Sequence, residues 1–182
     1  MEKSTYTEEN AVIASLLTRR SIRAYRPDPV PPADIDRVIA AGLRAASGMG
    51  RQSPVILAVT DRTLRDHLMR MNAAVMGREG SDPFYGAPCV LVVLADRQSP
   101  TYLYDGALAM GNMMNAAHAL GLGSCWIHRA REEFESEEGQ EILRTLGIHG
   151  DLEGIGHLIL GYADGPLPEA KPLREGRVFY AK

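Results

Sequence analysis

Little in this sequence favours a cross-linked, membrane-spanning or nucleic-acid-binding protein. Its only cysteines, Cys89 and Cys125, each sit inside an apolar run. Two are too few for a disulfide framework, and such thiols are most often buried and inert, which fits a reducing, cytoplasmic location. No charged-then-apolar leader opens the chain, and no run of about 18 apolar residues is present that could cross a bilayer. Neither sign of charge dominates: 20 Lys and Arg stand against 23 Asp and Glu, a net charge of −3. A broad nucleic-acid-binding face would need a basic surplus joined by stacking aromatics, and aromatic residues make up only 6% of the chain.

Chemical signatures are equally sparse. No Gly-x-Gly-x-x-Gly follows a strand and opens a helix, so a Rossmann site is not supported. Gly106 and Gly111 have Walker-like spacing, but no Lys-Ser/Thr follows and they fall within a helical pattern. The histidines at 67, 118, 128, 149 and 157 show no ligand spacing with cysteine or carboxylates, and no metal site is expected. Asp105 and the scattered serines form no recognisable triad. An enzyme of this composition would rely on a cofactor for its chemistry.

What is present reads as one domain over residues 1–182, long enough to bury a sizeable core. Thr7 to about Thr18 reads as a helix, with Thr7 as cap, Glu8 and Glu9 in its first turn, and Val12, Ile13, Leu16 and Leu17 as one apolar stripe. The Pro-rich run Arg26 to Pro32 forbids its continuation. A second helix carries Ile35, Val38, Ile39 and Leu43 and stops near Ser47-Gly48-Met49-Gly50. Val55 to Thr60 reads as a strand. Asp61 opens a third helix, and Ser81 to Pro88 is a loop carrying Phe84 and Tyr85. Cys89 to Ala95 is apolar throughout, as a strand covered on both faces must be. Tyr102 to Leu120 reads as the longest helix, rich in Gly, Ala and Met, to be buried centrally or against a second subunit. A turn at Gly121 enters a third strand, Glu132 to Leu146 reads as one polar-faced helix, and Gly156 to Gly161 as a fourth strand. The tail from Asp164 ends in Arg177-Val178-Phe179-Tyr180, a run suited to adding as an edge strand to this chain's sheet or a partner's. The fold class is α+β, with a mixed or antiparallel sheet of four to five strands flanked by helices.

The densest local feature is Arg19-Arg20-Ser21-Ile22-Arg23, followed by Tyr25, where a helical pattern meets an extended run. Guanidinium forks and a hydroxyl suit a phosphate. Cations in the last turn of a helix also complement its dipole. On local grounds both readings stand.

Taken in order, several segments resemble the nitroreductase family of FMN-dependent oxidoreductases. They are Arg19 to Arg23 with Tyr25, Ala45-Ala46-Ser47-Gly48-Met49 through Gln52, and the small-residue helix. Ala119 to Gly123 with Cys125-Trp126-Ile127-His128, Ile159-Leu160-Gly161-Tyr162, and Lys171-Pro172 with Arg174 complete the set. The likeness covers nearly the whole chain. It implies a homodimer with FMN at the subunit interface, the tail 164–182 packing on the partner, and NADH or NADPH as electron donor. Arg19 and Ser21, with Arg20 beside them, would hold the FMN phosphate. Arg23 would sit at the pyrimidine edge, where flavin reduction develops negative charge. Ser47 and the following backbone would line one side of the ring with Gln52 nearby, Asn72 would bond the pyrimidine edge, and Trp126, Ile127 and His128 would pass the N5 side. Lys171 and Arg174 would close over the phosphate.

The implied activity is transfer from NAD(P)H to a flat electron-poor small molecule, a nitroaromatic or a quinone, with Phe84 and Tyr85 either covering that acceptor or packing in the core. Other flavin chemistry of the family (dehalogenation, dehydrogenation, flavin cleavage) and non-enzymatic FMN binding are the alternatives. The sequence departs from the family pattern at Ala46, Gly50, Ser53-Pro54 and Leu173.

Overall fold

The computed structural model describes residues 10–181. Helix α1 (Ala11–Thr18) is capped by Asn10, whose side chain accepts the N–H groups of Val12 and Ile13. Thr7, Glu8 and Glu9, expected to open this helix, lie outside the described residues. The stripe Val12, Ile13, Leu16 and Leu17 forms as the spacing predicts, yet all four side chains are exposed. Helix α2 (Pro32–Leu43) starts on its proline and buries Ile35 and Val38.

After a short 3-10 turn at Gly48–Gly50 come β1 (Pro54–Val59) and α3 (Arg62–Val75). The Asp61 carboxylate caps α3 by accepting from the Leu64 N–H at 2.8 Å. Strand β2 (Cys89–Asp96), α4 (Tyr102–Ala119) and β3 (Gly123–Ile127) follow where the patterns place them. The helix expected as one piece from Glu132 to Leu146 is two, α5 (Ala130–Glu135) and α6 (Glu137–Thr145). Ser136, extended at φ −71°, ψ 157°, breaks it and caps α6 by accepting from the Gly139 N–H at 3.0 Å. Strand β4 (Leu152–Gly161) begins at Leu152 rather than at Gly156.

The strands form one sheet in the order β1-β2-β4-β3, with every neighbouring pair antiparallel. The α+β expectation holds, with a four-stranded antiparallel sheet. One face packs against α3, α5 and α6 through Leu68, Met71, Phe134 and Leu143, and the other against α2 and α4 through Val38, Met110, Met113 and Ala117. β2 is buried on both sides from Cys89 to Ala95. Cys89 and Cys125 are free and buried, and burial pushes the Cys89 thiol up to about 12.

A bulge interrupts the β2–β4 register: Val93 pairs with Gly156 and Leu94 with Gly154, which leaves Ile155 unpaired. The Ile155 side chain fills the space beside Gly106 of α4, where an added Cβ would lie 2.6 Å from Ile155 Cγ1. The small residues of α4 therefore serve close helix-on-sheet packing on its inner side. On its outer side Leu103, Tyr104 and Leu108 are exposed. Among the described residues the tail adds no strand to this chain's own sheet, and Leu173, Phe179 and Tyr180 are exposed.

Candidate functional site

Residues 19–26 run as an extended strap over the β3 edge. Ser21 bridges Ser124, Tyr25 bridges Ala163, and the Ile22 N–H donates to Ser124 O at 3.0 Å. Ile22 lies so close to β3 that a Cβ at Gly123 would fall 2.9 Å from its Cγ1, so glycine there is a packing requirement. The buried Tyr25 hydroxyl donates to Ile22 O at 2.9 Å and fixes the curve of the strap.

The two local readings of the arginines are divided between the side chains. Arg20 folds back, and its Nη1 donates to the carbonyls of Leu17 (2.9 Å) and Arg19 (2.8 Å), so it closes the end of α1. Arg19 turns into a depression of about 240 Å³ that it shares with His118, Gly121, Gly123 and Ser124. Buried Arg19 Nη1 and Ser124 Oγ have no hydrogen-bond partner there among the described residues. Burial, and then the charges of Arg19 and Arg20, depress the His118 pKa, so positive potential already fills this place. A buried cationic donor and a buried hydroxyl without acceptors fit an anionic oxygen.

Arg23 opens on the other side of the strap into a cleft of about 360 Å³. Trp126, Ile127, His128 and Arg129 form its floor, with Arg78 and Tyr85 on its rim. Phe84 and Tyr85 have opposite fates. Phe84 is fully buried with its ring centroid 5.1 Å from that of His157, whereas Tyr85, at φ +52°, turns out to the cleft.

Asn72 is fully buried, and its amide is engaged within the chain. Nδ2 donates to His128 O at 2.7 Å and to Glu133 Oε1, and Oδ1 accepts from Arg129 Nη1 at 3.2 Å. Asn72, expected at the pyrimidine edge, holds the backbone that passes that cleft. Behind it, buried Glu133 Oε2 stands 3.2 Å from His157 Nε2.

Ser47 and Gln52 lie elsewhere. Their loop sits beside the first turn of α4 and leads into β1, at the sheet edge opposite β3. The loop is closed by the Gln52 N–H donating to Ser47 Oγ at 3.0 Å. It is strained, with Met49 and Gln52 both at positive φ. What holds it is Asp105, only 2% exposed, which accepts from the Gly48 N–H at 3.0 Å, Ser53 Oγ at 2.8 Å and Thr101 Oγ1 at 3.1 Å. Burial works to raise the Asp105 pKa, but these bonds outweigh it and hold the carboxyl below its usual range. Ser53, one of the departures from the family pattern, is thus an anchor of the loop. Lys171 and Arg174 are exposed in the tail and line neither depression, although Leu167 at the start of the tail borders the one that holds Arg19. Sequence reasoning missed Asp105, Ser124, Arg78 and Arg129.

A sequence profile of the nitroreductase family matches residues 16–162, from α1 to just past β4. The chain belongs to the nitroreductase family. A protein of Archaeoglobus fulgidus named as a candidate NADH dehydrogenase/NAD(P)H nitroreductase is 30% identical over 153 residues, 81% of this chain and 82% of that one. An oxygen-insensitive NADPH nitroreductase of Salmonella typhimurium is 29% identical over 166 residues, 85% of this chain and 67% of its own. The crystal structure of a nitroreductase with bound FMN from Bacteroides fragilis superposes with a TM-score of 0.87 at 26% identity, covering 95% of this chain and all of that one. The nitroreductase match includes the strap, the Ser47 loop and the β3 cleft and leaves out the tail. No helix among the described residues is long and apolar enough to cross a membrane.

Proposed function

We propose that residues 1–182 form one FMN-dependent oxidoreductase domain that carries electrons from NADH or NADPH to a flat electron-poor acceptor such as a nitroaromatic or quinone. FMN, when bound, supplies the two-electron chemistry; the protein supplies binding, orientation and charge. The observation that carries this reading is the pair of buried donors without partners among the described residues, Arg19 Nη1 and Ser124 Oγ, on two residues that line one positive depression of a nitroreductase-family chain.

Arg19 and Ser21 hold the phosphate, with Arg20 fixing the strap beside them. Arg23 faces the pyrimidine edge, and Trp126, Ile127 and His128 form the floor under the ring. Asn72 acts through His128 by keeping its carbonyl turned inward, which leaves the backbone of this segment fixed.

The active form in this reading is a homodimer. Ser47 and Gln52 sit at the sheet edge opposite Arg19 and His128, so a site using both sets takes one wall from each of two chains. The exposed apolar side chains of α1 and of the outer side of α4 supply a surface to bury. The tail 164–182 then packs on the partner, carrying Lys171 and Arg174 towards a phosphate. Buried, free thiols at Cys89 and Cys125 suit the reducing cytoplasm.

The test is the visible absorption spectrum of the purified protein, before and after anaerobic NADH and then NADPH. Flavin bands that bleach with either nucleotide are expected. A colourless protein that FMN does not reconstitute would overturn the reading, and flavin bands that neither nucleotide bleaches would leave a binding protein.

A further inference from the structure

Two arginines held against the body of the fold are neutralised by carboxylates: Arg65 meets Asp82 at 3.0 Å and Arg97 meets Glu153 at 3.0 Å. Three that line the β3 cleft are not. Arg23, Arg78 and Arg129 form no ion pair among the described residues. One carboxylate, Asp82, also lines the cleft, but it accepts from Arg65 Nη2 and from the N–H groups of Phe84 (2.7 Å) and Gly86 (2.8 Å). The cleft therefore keeps a net positive lining that its own groups do not neutralise.

Arg23 has a place in the flavin reading above. Arg78 and Arg129 do not, and both are held in position. Arg129 sits at φ +81°, a conformation costly for a residue with a side chain, directly before α5. Its Nη1 bonds fully buried, neutral Asn72, which orients the guanidinium and leaves its charge intact. The Arg78 N–H donates to Ala73 O at 2.9 Å, and Ser81 Oγ donates to Arg78 O at 2.8 Å, so an exposed side chain stands on a fixed backbone. Arg129 also borders a neighbouring cavity with Glu132 and Glu153, but buried Glu153 is already engaged by Arg97 and Tyr102.

Resting on the flavin reading, we infer that Arg78 and Arg129 form a subsite for an anionic group, a carboxylate or a phosphate, on the molecule that exchanges electrons with the bound flavin. Two planar forks lining one cleft suit an oxyanion better than a neutral ring substituent. The anion is either a carboxylate of the acceptor or a phosphate of the nicotinamide dinucleotide, and the two half-reactions separate these sources.

The holoprotein and its Arg78→Gln, Arg129→Gln and Arg129→Lys variants are compared with 4-nitrobenzoate and 4-nitrobenzamide, and in anaerobic bleaching by NADPH. If the anion belongs to the acceptor, each Gln variant lowers the nitrobenzoate-to-nitrobenzamide ratio of kcat/KM about tenfold, and Arg129→Lys recovers part of it. If it belongs to the nucleotide, the bimolecular bleaching rate falls about tenfold instead and the acceptor ratio holds. Where Arg129→Gln fails to fold, Arg78→Gln, on the surface, decides. Equal losses for both acceptors with unchanged bleaching, or loss of FMN from Arg78→Gln, would overturn the subsite. A wild-type protein that no nucleotide bleaches would instead overturn the flavin reading, and the subsite with it.

Discussion

The two edges of the sheet are built on opposite plans. At the β1 edge a strained loop carries Ser47 and Gln52, and the polar groups that fix it are paired within the chain: Asp105 takes Gly48, Ser53 and Thr101, and Ser47 takes Gln52. At the β3 edge Arg19 Nη1 and Ser124 Oγ are buried without hydrogen-bond partners among the described residues. Leaving such groups unpaired is costly, and that cost is removed when a ligand supplies acceptors. One edge is a wall that keeps its shape alone; the other is a wall shaped for something added to it.

The largest effect should come from removing donors at the open edge. Arg19→Ala with Ser21→Ala should weaken FMN binding about 100-fold or more, since two charge-assisted bonds are lost. FMN should separate on gel filtration while the far-ultraviolet circular dichroism holds, and full retention of the yellow colour would break the comparison. The closed edge should respond in stability instead. Asp105→Ala leaves a buried N–H and two hydroxyls without an acceptor and should cost about 3 kcal/mol in urea unfolding.

A pH profile sharpens the same point. Because the folded Asp105 carboxyl lies below its usual range, its contribution is present above the unfolded pKa and is lost as pH falls through the folded one. Asp105→Asn should therefore flatten the acid limb of the stability curve; an unchanged limb would remove Asp105 from its role. A smaller effect belongs to Arg23→Ala, which should make bound flavin harder to reduce by roughly 30 mV for each ~1.4 kcal/mol of charge stabilisation lost, read by potentiometric titration. Arg144→Ala, at an exposed pair far from either edge, should change stability by no more than about 0.5 kcal/mol.

Much of the fold was legible because its signals are local. The unbroken apolar run at β2, the cap Asp61 and the helix-opening Pro32 all act within a few residues. The break between α5 and α6 had a signal, since Ser136 followed by Glu137 and Glu138 is a helix start, but it lay inside a longer helical pattern. The bulge at Ile155 had none. Phe84 and Tyr85 are neighbours of similar chemistry, and only the positive φ at Tyr85 sends one ring inward and the other out.

The candidate site was legible where the Arg-rich strap is contiguous and hidden where partners are far apart in sequence. Asp105 reaches residues 52 and 57 positions away, and Asn72 meets Arg129 across 57. A lone Asp or Asn in a helix carries no mark of such bonds.

Opposite placement of the strap and the Ser47 loop also has a genetic consequence. In a dimer whose sites each draw one wall from each chain, a chain without Arg19 and Ser21 and a chain without Asp105 damage different walls. A mixed dimer of the two concentrates both lesions in one site and leaves the other intact. One allele that loses the ligand and one whose wall is loosened would then complement one another when expressed together, whereas two alleles damaged in the same wall would not.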